Sequence, residues 1–225
     1  MHILLLDQRV QPDPHAAEQP RSASAGLLAA LRDAKVHVSL CFPALTAAAD
    51  DPALRADCWP IRLDQLPTTS HVPDWQPWLA HLAGSGHSLS AAAAQLADIP
   101  LGLLRESIRR AVTKAVDETD VDVIFVCQAG LLVEFAIETG PPVAAHADGH
   151  DLASLETPGR LRDIVAASLS SCEVLAADSE ASAATLRERW IDSDPERPIE
   201  TWPLTNAAEP ILTACRTALA RRFTA

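Results

Sequence analysis

The stretch VDVIFVCQAGLLVEFAIETGPPVAAHADGHDL, residues 121 to 152, decides the fold. Val121–Cys127 is an apolar run of the length expected for a strand buried on both faces, and Val143–Ala147 repeats that pattern. Ala129–Glu138 lies between them with the composition of a short helix, and the Thr-Gly-Pro-Pro segment that follows stops it. A strand, a helix and a second strand in this order predict one βαβ unit of a parallel sheet.

The same alternation extends outward from this stretch to both ends of the chain. We therefore predict an α/β fold, a Rossmann-like parallel sheet with helices on both faces. The continuous apolar strand Ile3–Leu6 should be central. Residues 1–206 would form this domain, and 207–225 a C-terminal helix. The other predicted strands are Val36–Phe42, Trp59–Leu63, Cys172–Ala177 and Ile199–Leu204. Five further helices are predicted at Ser22–Asp33, His71–Ala83, Ser88–Ala97, Leu101–Val116 and Ile211–Phe223. Two more helices have a predicted N-cap: one opens at Thr157 and Pro158 and ends at Ser170, and the other, Glu180–Trp190, follows the cap Asp178-Ser179.

Charge and hydropathy exclude two kinds of partner. The net charge of −12 repels phosphate backbones, so we expect no nucleic acid partner. Arg105, Arg109 and Arg110 form the densest basic cluster, and their spacing indicates a solvated helix face. No run of about 18 apolar residues occurs, so no transmembrane segment is expected.

The cysteines favour a reducing compartment. None of the five lies at a C-x-x-C spacing, which argues against zinc and against a redox pair. Cys41, Cys127 and Cys172 fall inside apolar runs and are predicted to be small core residues. We therefore expect a cytoplasmic location.

Ligands of open parallel sheets bind beyond the carboxyl ends of the strands, and the first two loops there carry polar side chains. In the loop before the first helix, Asp13, Arg21 and Ser22 precede a helix N-terminus, which could hold an anionic group. The alternative is a solvated loop with an ordinary serine cap. Gln128 begins the second loop and is a further candidate for substrate binding. The first loop lacks the G-x-G-x-x-G pattern, so we expect no dinucleotide cofactor.

The third strand-end loop is the richest in titratable groups. His146, Asp148, His150 and Asp151 place two histidines and two aspartates within six residues. This indicates acid/base chemistry or a metal site, but the spacing matches no strong metal signature, so we predict no metal. If the loop faces a ligand cleft, His146, Asp148 and His150 are the candidate catalytic groups, and Gly149 and Asp151 would contact substrate. The alternative is a structural loop in which Asp148 and Asp151 make turn and cap bonds.

Several of these stretches resemble the N-terminal half of family 4-type (group 1) glycosyltransferases. MHILLLD with its Pro/Asp loop resembles their opening strand and loop. PVAAHADGHDL at 142–152 is similar to the family's P-V-V-x-x-x-H-G-x-D-L stretch, and VLAADSEA at 174–181 to its V-I-A-V-S-E-A stretch. IETWPLTN at 199–206 stands where V-x-V-I-P-N-G-V-D closes the family's N-terminal half.

The resemblance implies a GT-B architecture, in which two Rossmann-like domains face one cleft and no metal or cofactor is needed. Residues 1–206 would be the acceptor-side domain, and a C-terminal donor domain would be its partner. The reaction implied is transfer of a sugar from a nucleotide sugar to a hydroxyl acceptor. Asp148 or a neighbouring histidine would stabilise charge in the cleft, and Arg21 would face the donor phosphates.

Two departures from the family pattern leave alternatives open. The Gly-Gly of the family's first loop is replaced here by residues such as Ala16 and Ala17. The family's cleft histidine aligns with Asp148, which His146 and His150 flank. A catalytically inactive GT-B-like binding or scaffold subunit, or an unrelated Rossmann-like enzyme of small-molecule metabolism, is therefore also consistent with the sequence.

Overall fold

The computed structural model describes residues 1–7, 23–45, 58–72, 74–85, 89–148, 159–191, 198–204 and 208–224. The strands within these ranges are β1 (His2–Leu6), β2 (His37–Ala44), β3 (Cys58–Arg62), β4 (Val123–Val126), β5 (Val143–Ala147), β6 (Val174–Ala177) and β7 (Ile199–Thr201). They form one parallel sheet in the order β3-β2-β1-β4-β5-β6-β7.

Strand β1 lies inside the sheet, as its apolar sequence predicts. It pairs with β2 on one side and with β4 on the other, and Leu6 is in register with both Cys41 and Val126. Every residue of β1 and of β4 is buried. A strand with neighbours on both edges and helices on both faces exposes no side chain to water, which explains its unbroken apolar run.

Helices cover both faces of the sheet, which confirms the predicted fold class. Successive residues of a strand point to opposite faces, so Ile3 and Leu5 pack into one core cluster and Leu4 and Leu6 into another. The helices are α1 (Ala23–Asp33), α2 (Gln76–Ser85), α3 (Leu89–Ala93), α4 (Asp98–Thr119), α5 (Leu131–Glu138), α6 (Arg160–Ser170), α7 (Glu180–Arg189) and α8 (Ala208–Arg222). The cluster of Ile3 and Leu5 lies under α1 and α8, and we call this side of the sheet the α1/α8 face. The cluster of Leu4 and Leu6 lies under α2 to α7.

Helix α2 begins later than its apolar spacing predicts. It starts at Gln76 and not at His71, because the Asp74 carboxylate accepts the Gln76 amide at 2.8 Å. Thr69 holds the preceding residues in a turn, since its hydroxyl accepts the Val72 amide at 3.1 Å. Side chain–backbone bonds of this kind end or start helices independently of hydrophobic period.

The other boundary corrections also come from local backbone geometry. Helix α3 is only five residues long, and α4 begins at Asp98, three residues earlier than predicted. Pro100 lies in the first turn of α4, where a proline's missing N–H is tolerated. At the other end, Asp120 takes a left-handed conformation with φ 49° and stops the helix.

Four further details correct the sequence predictions. Helix α2 ends at Ser85, two residues later than the predicted Ala83. Helix α6 begins at Arg160 with Gly159 as its N-cap, and the predicted cap at Thr157 lies outside the described residues. Strands β6 and β7 are shorter than predicted, at Val174–Ala177 and Ile199–Thr201.

The predicted core cysteines are confirmed. Cys41, Cys127 and Cys172 are buried, and so is Cys215. Burial raises the pKa of the Cys41 thiol to about 12, so it stays protonated at neutral pH. None of the helices described is both long and apolar enough to cross a bilayer.

The basic cluster on α4 differs from the predicted solvated face. Arg110 is exposed, but Arg105 donates to the Glu134 carboxylate on α5, with 3.1 Å between Arg105 Nε and Glu134 Oε2. Glu134 is 7% exposed. Arg105 therefore neutralises a buried carboxylate between two helices.

Candidate functional site

The strand order changes direction between β1 and β4, because β1 leads to β2 on one side while β4 continues the sheet on the other. In open parallel sheets, ligands bind beyond the carboxyl ends of the strands at this point. Asp7 follows β1 there, and its amide donates to the Cys41 carbonyl at 3.0 Å. The residue is fully buried, so the carboxyl edge of the sheet carries an acidic side chain at the switch point.

Gln128 lies in the short connection from β4 to α5, which is fixed at both ends. Before it, the Cys127 amide donates to the Leu6 carbonyl at 2.9 Å. After it, the Ala129 amide donates to the His146 carbonyl at 2.7 Å. The Leu131 amide then donates to the buried Ser90 hydroxyl at 2.7 Å. These bonds hold Gln128, which is 2% exposed, beside β5 at the same edge.

His146 is the central residue of the candidate site. It is the next-to-last residue of β5, in register with Ala176 of β6, and it is 1% exposed. Its ring lies on the α1/α8 face against Trp202, with 4.7 Å between the ring centroids. Its Nε2 lies 2.9 Å from the Trp202 carbonyl oxygen.

That contact determines which ring nitrogen of neutral His146 carries the proton. A carbonyl oxygen only accepts hydrogen bonds, so Nε2 is the donor. Nδ1 then carries the lone pair of the neutral ring. Nδ1 is buried and has no hydrogen-bond partner in the part of the chain that the structure describes.

The surroundings of His146 act on its pKa in opposite directions. Burial lowers the pKa of the ring below its ordinary value of 6.5, while the Trp202 carbonyl, Asp178 and Asp148 raise it. The effect of burial is the larger, so the ring is neutral at pH 7.

Asp178 follows β6 as Asp148 follows β5. Its amide donates to the Ala147 carbonyl at 3.1 Å, and its carboxylate accepts from Ser179 Oγ at 3.2 Å. Ser179 also caps α7 by accepting the Ser182 amide at 3.2 Å, which confirms the predicted cap. Asp148 and Asp178 are partly exposed, and both act on the buried imidazole of His146.

Of the residues that the sequence predicts for the site, Gln128, His146 and Asp148 lie together at this edge. Asp13, Arg21, Ser22, Gly149, His150 and Asp151 lie outside the described residues. Three participants were missed. Asp7 and Asp178 each stand directly after an apolar strand, so the rule that led to Asp148 also points to them. Trp202 contributes a backbone carbonyl, for which the sequence carries no signal.

The arrangement can accept hydrogen bonds and balance a partial positive charge. Its groups are carboxylates, an amide and an imidazole nitrogen with a lone pair. Within the described ranges, no group of three or more His, Cys, Asp or Glu side chains is placed to hold a metal ion.

The burial of His146 predicts a pH dependence of stability. The unfolded chain binds a proton on this residue near pH 6.5, whereas the folded protein does so only at lower pH. The free energy of unfolding should therefore fall as the pH drops below about 6.5, by at most about 1.4 kcal/mol per pH unit from this one group, and level off below the folded-state pKa.

Urea unfolding of the wild type and of His146→Gln between pH 8 and pH 5 measures this effect. Carboxylates titrate in both proteins, so the difference between the two curves isolates His146. Equal slopes for the two proteins would show that the folded structure leaves this imidazole free to charge.

The chain is similar in structure to two solved proteins. UDP-GlcNAc 2-epimerase from Methanocaldococcus jannaschii aligns with a TM-score of 0.49 and 11% identity, over 89% of this chain and 45% of the epimerase. MurG from Acinetobacter baumannii aligns with a TM-score of 0.43 and 11% identity, over 92% of this chain and 46% of MurG. This chain thus spans about half the length of either protein. No protein-family model and no curated protein matches the sequence.

Proposed function

We propose that this chain is the acceptor-side domain of a glycosyltransferase, which binds the molecule whose hydroxyl receives a sugar from a nucleotide sugar. The observation that carries the proposal is the group formed by Asp7, Gln128, His146, Asp148 and Asp178 at the carboxyl edge of the sheet. A hydroxyl that becomes a nucleophile needs an acceptor for its proton, and carboxylates and a neutral imidazole are such acceptors. Family 4 membership remains a prediction from the quoted sequence stretches.

The roles follow from position and exposure. Asp148 is partly exposed and would receive the proton of the attacking hydroxyl or stabilise the charge that develops in the transition state. Gln128 and His146 are buried and fixed by backbone contacts, so they would orient the acceptor. Nucleotide-sugar binding would require a second, donor-side domain, as the resemblance to GT-B enzymes implies.

Calorimetry with two panels of compounds tests the proposal. Neutral glycosides should give saturable heat with this chain, and UDP- and GDP-sugars should give none at millimolar concentration, because the described part of the site presents carboxylates to a diphosphate. Tight binding of a nucleotide sugar, or no response to any glycoside, would contradict the acceptor-side assignment.

The variant Asp148→Asn locates the binding site. It should weaken glycoside binding by about 10- to 150-fold, since a hydrogen bond to a charged group contributes about 1.5–3 kcal/mol. Glu118→Gln removes the same charge near the opposite end of the sheet, at the end of α4, and should leave binding unchanged. A lower melting temperature in Asp148→Asn with unchanged glycoside affinity would mean that Asp148 only stabilises its own loop.

A further inference from the structure

His146 combines a fixed proton with an unsatisfied acceptor. The Nε2 proton is engaged by the Trp202 carbonyl at 2.9 Å, and the ring is held further by contact with the Trp202 indole. Nδ1 is buried without a partner in the described structure. A buried acceptor left unsatisfied costs about 1–3 kcal/mol, so a donor that reached this atom would recover that cost.

The location of this acceptor associates it with the candidate site. His146 is one residue from the carboxyl end of β5. The backbone carbonyl of His146 accepts a hydrogen bond from the amide of Ala129, the residue after Gln128. The charged groups that act on its ring are the carboxylates of Asp148 and Asp178. Both follow strands that end at this edge.

The charges and lone pairs around Nδ1 restrict the chemistry of the ligand. A phosphate oxygen and Nδ1 are both acceptors and would repel each other, and Asp148 and Asp178 would add to that repulsion. A hydroxyl group has a proton to donate and carries no charge to be repelled. A hydroxyl therefore fits at Nδ1 where a phosphate group does not, and a neutral polyhydroxylated compound offers such hydroxyls without adding a charge that Asp148 and Asp178 would repel.

We propose that His146 Nδ1 accepts a hydrogen bond from a hydroxyl of a neutral, polyhydroxylated acceptor, and that the Trp202 carbonyl fixes the imidazole in the tautomer this requires. This inference rests on the proposed function and deepens it by naming the substrate class and the atom that receives it. Trp202 is a positioning residue, because it acts through His146.

Nitrogen-15 NMR of the histidine rings tests the tautomer first. In the free protein at pH 7, His146 should show a protonated Nε2 and an unprotonated Nδ1. Trp202→Phe keeps the backbone carbonyl and should keep this tautomer. A protonated Nδ1, or a doubly protonated ring, would overturn the inference before any ligand is added.

Three probes then test the ligand class: methyl α-glucopyranoside, myo-inositol and inorganic pyrophosphate. Saturating amounts of at least one of the two neutral compounds should move the Nδ1 resonance in the direction of a new hydrogen bond, and pyrophosphate should leave it in place. A response to pyrophosphate alone, or to no probe, would refute the assignment of Nδ1 to a neutral hydroxyl ligand.

The variant His146→Gln provides a second measurement. Glutamine places an amide donor near the Nε2 position and removes the Nδ1 acceptor. We expect at least a tenfold loss of affinity for the neutral compound that binds, with no new affinity for pyrophosphate. Unchanged affinity would contradict the inference, and if the variant does not fold, the wild-type resonance still decides.

These outcomes separate the inference from the proposed function. If a neutral compound binds and Asp148→Asn weakens it while Nδ1 does not respond, the acceptor-side assignment stands and the role of His146 is wrong. If Nδ1 responds to a neutral polyol but no glycoside binds, the ligand class stands and the glycosyltransferase assignment fails.

Discussion

Arg105→Met will lower the free energy of unfolding by about 3–5 kcal/mol, as expected when one partner of a buried ion pair is removed. Arg105 donates through two nitrogens to the Glu134 carboxylate, with 3.1 Å between Nε and Oε2. The side chains are 18% and 8% exposed. Without the guanidinium, the largely buried Glu134 carboxylate loses its ion-pair partner between α4 and α5.

Arg109→Met is the matched control, because it lies one turn further along α4. Arg109 pairs with Glu138 of the same partner helix at 2.8 Å, but the two side chains are 39% and 42% exposed. Exposed ion pairs contribute about 1 kcal/mol or less. Urea unfolding measures both variants, and equal losses would mean that burial does not distinguish the two pairs. Adding Glu134→Leu to Arg105→Met should recover part of the loss, since it removes the unpaired charge.

Phe125→Ala should destabilise the protein by a comparable amount, about 3–5 kcal/mol. Phe125 is fully buried on β4, and its ring is stacked near Trp202 with centroids 6.2 Å apart. Removing the ring leaves a cavity on the α1/α8 face next to the indole that contacts His146. The resonances of the His146 ring should therefore shift in this variant.

Phe223→Ala is the control for the loss of an aromatic ring. Phe223 follows α8 and is 85% exposed, so its removal should change stability by no more than about 0.5 kcal/mol. Thermal and urea unfolding compare the two variants. A loss below about 1 kcal/mol for Phe125→Ala would show that the strand core reorganises around the missing ring.

The parallel sheet could be predicted because its strands are read directly from apolar runs. Strand β5 has the predicted bounds, and β1 has neighbours on both sides as its sequence requires. Helix boundaries were less predictable where a single hydrogen bond decides them. The bond from the Gln76 amide to the Asp74 carboxylate decides the start of α2 in this way. The role of Arg105 was missed because its spacing is that of a solvated face, and only the packing of α4 on α5 reveals the buried carboxylate opposite it.

The candidate site was predictable to the extent that strand ends identify it. Gln128, His146 and Asp148 follow or end apolar strands, and the fold brings them to one edge of the sheet. The tautomer of His146 could not be predicted, because a backbone carbonyl 56 positions away in sequence sets it. A residue's sequence neighbours carry no information about such a partner.

The most direct test of the acceptor-site proposal is a map of amide chemical shifts during titration with the neutral glycoside that gives the largest heat. The proposal predicts that the amides of Asp7, Gln128, Asp148 and Asp178 move together and saturate at one dissociation constant. It also predicts that amides at the opposite edge, such as those of Asp122 and Glu173, stay in place. Shifts confined to that opposite edge, or spread over the surface without saturation, would contradict an acceptor site at the carboxyl ends of the strands.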